Sequence, residues 1–61
     1  LLKREIQQLL LENVTHSIHL ISGETYIGTC EINEQSDSIQ MITGQEKVSF
    51  PYWAVKRIKQ L

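Results

Sequence analysis

Residues 16–33, HSIHLISGETYIGTCEIN, carry the reading that decides the fold. Ile18 and Leu20 alternate with Ser17 and His19, the period-two pattern of a strand with one face in a core. Ser22-Gly23 is turn chemistry, because Gly accepts the positive φ that a tight hairpin needs. Thr25, Tyr26, Ile27, Thr29, Cys30 and Ile32 then make a run rich in β-branched and aromatic residues. Gly28 interrupts that run. A Gly inside a strand marks a sharp bend or the close approach of another backbone. A short hairpin followed by a long strand bent at Gly is how a small, strongly curved barrel is built.

Upstream, residues 1–12 read as an amphipathic helix. Leu2, Ile6, Leu9 and Leu10 fall on one stripe, with Lys3, Arg4, Gln7 and Gln8 mostly off it. Asn13 is placed to cap its C-terminus, and Leu11 sits at the stripe's edge. About 12 residues make a marginal helix that must pack on something. Downstream, the polar stretch 34–37 is a turn, and Thr43-Gly44-Gln45 is another. The expected strands are 14–21, 24–33, 38–43, 46–50 and 53–59. Ile39 and Met41 share one face of the third, and Ile42 breaks its alternation. Val48 and Phe50 share one face of the fourth. Pro51 ends or bends that strand, since it cannot donate a ladder hydrogen bond. The fold class is therefore mainly β: an N-terminal α-helix followed by a strongly bent five-stranded antiparallel sheet in one small-barrel domain.

The chain has 61 residues and a formal net charge of −1. A domain this small buries only about 60% of its unfolded surface, and usually needs a staple. The single cysteine, Cys30, excludes an internal disulfide and reads as a small core residue. Two histidines and one cysteine give no zinc-ligand spacing, so no metal and no cofactor are expected. Oligomerisation is the device left, and it suits a β domain with unpaired edges. No apolar run approaches the roughly 18 residues of a membrane span. No signal-peptide pattern is present, and a cytoplasmic location is expected. The first residue is Leu, so a trimmed start and a lost targeting segment stay open. Glu31, Glu34 and Asp37 read as solvated loop acids. No nucleophile, base and orienting group occur together, so an enzyme is not expected.

The residues resemble the Sm-like superfamily, and within it the bacterial Hfq branch. His16-Ser17-Ile18-His19-Leu20-Ile21-Ser22-Gly23, then Tyr26-Ile27-Gly28 and Glu31, are similar to the family's first motif. Val48-Ser49-Phe50-Pro51-Tyr52-Trp53-Ala54-Val55 looks like its closing segment of fourth and fifth strands. The resemblance implies a homo-oligomeric ring of about five to seven subunits, joined by pairing the fourth strand of one subunit with the fifth of the next. It implies single-stranded RNA as partner, U-rich at the pore on the helix-bearing face and A-rich on the opposite face. Carried over residue by residue, the pore-face contacts are Gln35, Ser36, Tyr52 and Trp53. The opposite-face contacts are His19, Ser22, Gly23 and Thr25. Lys56, Arg57 and Lys59 form a solvated rim able to touch phosphates in a salt-sensitive way.

The chain also departs from the Hfq pattern. Tyr52 and Trp53 stand where Lys-His is usual, and Leu10, Leu11 and Asn13 stand where many helices carry an arginine patch. Aromatics stack on bases but supply no charge. Interface packing is the structural alternative for Tyr52 and Trp53, a plain solvent-facing strand position for His19, and a structural role for His16. Two further readings follow: a ring acting as a protein-interaction scaffold with little RNA affinity, and a monomeric SH3-type adaptor.

Overall fold

A computed structural model describes residues 2–61. It has one short helix, α1 (Lys3–Leu9), then strands β1 (His16–Leu20), β2 (Thr25–Asn33), β3 (Ser38–Thr43), β4 (Glu46–Pro51) and β5 (Val55–Gln60), with a 3₁₀ turn at Tyr52–Ala54. All pairings are antiparallel, in the order β4-β3-β2-β1-β5. The chain is thus a helix followed by a strongly bent five-stranded sheet, as its alternation and turn residues predict. None of its described helices is long and apolar enough to cross a membrane.

The bend lies at Gly28. Residues 25–28 of β2 pair with β1, and residues 29–33 pair with β3. A Cβ at Gly28 would sit 1.9 Å from the carbonyl oxygen of Ile42 on β3. Only hydrogen fits there, so the strand folds over on itself without a side chain between the two backbones. Each half of β2 then contributes one wall to a common core.

That core holds Ile6, Leu10, Ile18, Leu20, Ile39, Met41, Phe50, Tyr52 and Val55. The alternating members of β1 and β3 point into it, as their period-two patterns require. Tyr26 stacks against Phe50 with ring planes 9° apart and centroids 6.3 Å apart. His16 is also buried, and its Nδ1 lies 3.0 Å from the Val14 carbonyl oxygen, which supports the structural reading of this residue.

Three elements differ from the sequence expectation by two residues or more at an end. The helix ends at Leu9 with Leu10 as its cap, rather than at residue 12 with Asn13. Of the apolar stripe, Ile6 and Leu10 are buried while Leu2, Leu9 and Leu11 are exposed. Past Leu10 no packing holds a further turn, so the chain leaves the helix to reach β1. Leu1, where the expected helix begins, lies outside the described residues. The first strand is shorter than 14–21, because Ile21 turns outward into the hairpin. There the Gly23 N–H donates to the Leu20 carbonyl at 2.9 Å, with Gly23 at φ 102. The fifth strand starts at Val55, because Tyr52–Ala54 form the 3₁₀ turn that follows Pro51.

β4 and β5 are the two edges of the sheet, each with a single neighbour. The barrel is therefore open along one seam.

Candidate nucleic-acid interface

Two surfaces collect most of the residues singled out by the sequence, Gln35 and Lys56 excepted. The first is a groove of about 460 Å³ where three segments meet. Leu2 and Lys3 come from the start of the helix, Ser36 and Asp37 from the β2–β3 turn, and Pro51, Tyr52 and Trp53 from the end of β4 and the 3₁₀ turn. α1 packs on that 3₁₀ turn, which brings its first residues to the groove.

The two aromatics have different roles. Tyr52 is a core residue, 7% exposed, and forms the groove's wall; its hydroxyl accepts a 3.4 Å hydrogen bond from Gln7 Nε2. Trp53 is 75% exposed and presents its indole to solvent at the groove's edge. A 3₁₀ turn rotates successive side chains by about a third of a turn, so neighbours in sequence face different ways.

The β2–β3 turn is built by Asn33, whose Oδ1 accepts from the N–H groups of Gln35 and Ser36 at 3.0 and 3.1 Å. The Ser36 and Ser38 hydroxyls are hydrogen-bonded at 2.6 Å. Ser36 faces the groove, whereas Gln35 is exposed on the same turn and does not line it. Lys3 and Asp37, both off the sequence-derived site, form an ion pair across the groove. The hydrogen bond that Lys3 Nζ donates to Asp37 Oδ1 holds the ammonium above its ordinary pKa. Lys3 Nζ also lies 5.3 Å from the centroid of the Tyr52 ring.

The second surface is the outer face of β5, β1 and the first half of β2. Residues directly opposite on neighbouring strands share a face. His19 stands between Thr25 and Arg57, and Ser17 between Ile27 and Lys59. His19 Nδ1 and Thr25 Oγ1 are 2.7 Å apart and hydrogen-bonded. At the turn, the Ser22 hydroxyl donates to Glu24 Oε1 at 2.9 Å and the Tyr26 hydroxyl donates to Oε2 at 2.6 Å. These bonds, Tyr26 first, hold the Glu24 carboxyl below its ordinary pKa, and Glu24 in turn holds the Tyr26 hydroxyl above its own.

The three cations expected as one rim are divided. The pairing shifts between His19 and Leu20, which face Arg57 and Val55, leaving Lys56 as the extra residue of a bulge. Arg57 and Lys59 thereby join His19 and Thr25 on one face. Sequence spacing alone does not locate that bulge. Glu24, Asp37 and Lys3 are the functional candidates that the sequence reading passed over. Among the described residues, no cluster of His, Cys, Asp and Glu is disposed to hold a metal ion.

Comparison with protein-family models, with curated proteins and with solved structures finds no match for this chain.

Proposed function

We propose that the protein is an Sm-like, Hfq-type ring that binds single-stranded RNA without catalysis. The observation that carries this reading is Trp53. A tryptophan 75% exposed beside a groove holding an ammonium and a serine hydroxyl offers a base a π-face, a phosphate a cation and a base edge a polar partner. The outer face with Arg57, Lys59, His19 and Thr25 supplies a second, more cationic track. Ring assembly is supported by the two open edges. β4 and β5 differ in sequence and sit at opposite ends of the strand order, so pairing of β4 with β5 between copies would be head-to-tail, the contact that makes a ring where its rotation closes.

The test is native mass together with binding of fluorescent U-rich and A-rich oligomers across a salt series. A ring that binds with a negative salt slope, and that loses about 1–3 kcal/mol per stacked base in Trp53→Ala, is the expected result. A mass near one chain removes the ring, and a ring indifferent to both oligomers at low salt removes the RNA reading.

A second reading is supported by a groove of about 570 Å³ lined by Arg4, Gln7, Gln8, Leu11, Ile32 and Glu34. Its apolar floor and mixed charges suit a peptide side chain better than a phosphate chain. In that reading the ring is a protein-interaction scaffold, and loss of RNA binding leaves this groove as the functional surface.

A further inference from the structure

The groove beside Trp53 is lined by one cation, Lys3, and one anion, Asp37, and each is bonded to the other. The two come from opposite sides of the groove, the helix start and the β2–β3 turn. Asp37 sits at φ 54, a left-handed conformation that Asp tolerates, at the end of a turn already fixed by Asn33 and the Ser36–Ser38 hydroxyl pair. Lys3 is tethered at its stem by the helix and at its head by the Tyr52 ring face.

We propose that Lys3 is the phosphate-binding cation of this groove, and that Asp37 occupies it until a nucleic-acid phosphate takes its place. The inference rests on the RNA-binding reading and adds to it the residue that supplies the charge absent from Tyr52 and Trp53. A phosphodiester and a carboxylate are both singly charged acceptors, so the exchange conserves charge at the ammonium. Both side chains are well exposed, at 50% and 65%, and exposed ion pairs of this kind are weak. An incoming phosphate therefore displaces Asp37 into water at little cost. The cation–π contact with Tyr52 keeps the ammonium in the groove while its partner changes. Until then the groove is neutral and exerts no long-range pull on a polyanion, in keeping with a chain of net charge −1. Contact is thus made only when a base has already reached Trp53.

The experiment measures binding of a fluorescent U-rich oligomer across a salt series to the full chain and four variants. These are Asp37→Asn, Lys3→Met, Lys3→Arg and the Lys3→Met/Asp37→Asn double variant. Asn accepts the left-handed backbone as readily as Asp, and circular dichroism verifies the fold of each. Asp37→Asn is expected to tighten binding by up to about fivefold. Lys3→Met is expected to weaken binding and to flatten the log–log salt slope by about 0.7 per groove engaged, while Lys3→Arg keeps the slope. In the Lys3→Met background, Asp37→Asn is expected to change nothing, because its effect acts through Lys3. Equal tightening with and without Lys3 would mean that Asp37 merely repels RNA, and would overturn the proposal. So would an unchanged slope in Lys3→Met. If either occurs while Trp53→Ala still weakens binding, the RNA reading survives and only the assignment to Lys3 falls. Absence of binding by the wild type and every variant removes both.

Discussion

Replacing Gly28 by Ala tests the bend on which the whole sheet depends. The added Cβ would lie 1.9 Å from the Ile42 oxygen, 2.8 Å from the Ile42 carbonyl carbon and 3.2 Å from Thr43 Cα. All three are backbone atoms, so no rotamer change relieves the clash. Reaching even a tight 3.0 Å contact requires β2 and β3 to part by more than 1 Å at this point. The nearest ladder pair, Thr29 with Ile42, is where that separation is felt, and Met41 behind it is fully buried. Overpacking costs about 1–3 kcal/mol in general, and a backbone-to-backbone clash belongs at the upper end. A chain of this length is stable by roughly 3–9 kcal/mol. The expected loss of about 3 kcal/mol is a third or more of the total. It corresponds to a fall in Tm of about 12–24 °C. The assay is urea and thermal unfolding by far-UV circular dichroism at fixed chain concentration, since any self-association shifts the apparent stability. Gly23→Ala is the control. Gly23 has φ 102 but open space around its Cβ position, so Ala there meets only backbone strain of about 1–2 kcal/mol. If Gly28→Ala costs no more than Gly23→Ala, the close approach of β2 and β3 is not what demands glycine.

Three further outcomes are expected. Ile6→Ala removes one of the two buried anchors of α1 and should cost about 2–5 kcal/mol, with the helical signal at 222 nm lost at lower urea than the sheet signal. Burial pushes the Cys30 thiol up to about 11, whereas an unfolded cysteine ionises at about 8.5. The unfolded chain therefore releases this proton first, and stability should fall as pH rises from about 8.5 towards 11, a slope that Cys30→Ala removes. Alkylation of Cys30 by iodoacetamide at pH 8, followed by mass spectrometry, should be far slower in the folded chain than in urea. Glu24 behaves in the opposite sense. Its carboxyl is held low by Tyr26 and Ser22, so its contribution is present above the ordinary glutamate range and is lost as pH falls through its folded value. Glu24→Gln should flatten the acid limb of a stability–pH curve measured by urea unfolding.

The bend, the hairpin turn and the inward faces of β1 and β3 were legible because each is a local matter. Gly28 among β-branched residues, Gly23 after Ser22, and Ile39 two residues from Met41 state their roles within a few positions. The helix was overextended because leucine spacing continues past the point where packing stops. Leu9 and Leu11 fit the stripe in sequence, but only Ile6 and Leu10 reach the core. The site was less legible because it depends on non-local geometry. Lys3 and Asp37 meet through the return of the β2–β3 turn to the helix, which no spacing rule encodes. Arg57 faces His19 while Val55 faces Leu20, because Lys56 is bulged out between them; in an unbroken register Lys56 would stand opposite Leu20 instead. Tyr52 and Trp53 are adjacent in sequence, yet one is core and the other surface, a division set by the 3₁₀ turn.

Within a single chain β5 is held by β1 alone, and that pairing joins strands far apart in sequence. β2, β3 and β4, by contrast, are consecutive strands closed by short turns. Closing a long loop costs more entropy than closing a short one, and non-local pairing slows folding. The meander of β2, β3 and β4 is therefore expected to form first and β5 to fasten last, acting as a buckle on an otherwise assembled sheet. Its amides should show this in hydrogen exchange at chain concentrations that keep the protein monomeric: Ile58 on β5 should exchange faster than Met41, which lies in a strand paired on both sides. A chain whose last strand opens first keeps most of its core while briefly uncovering the far edge of β1.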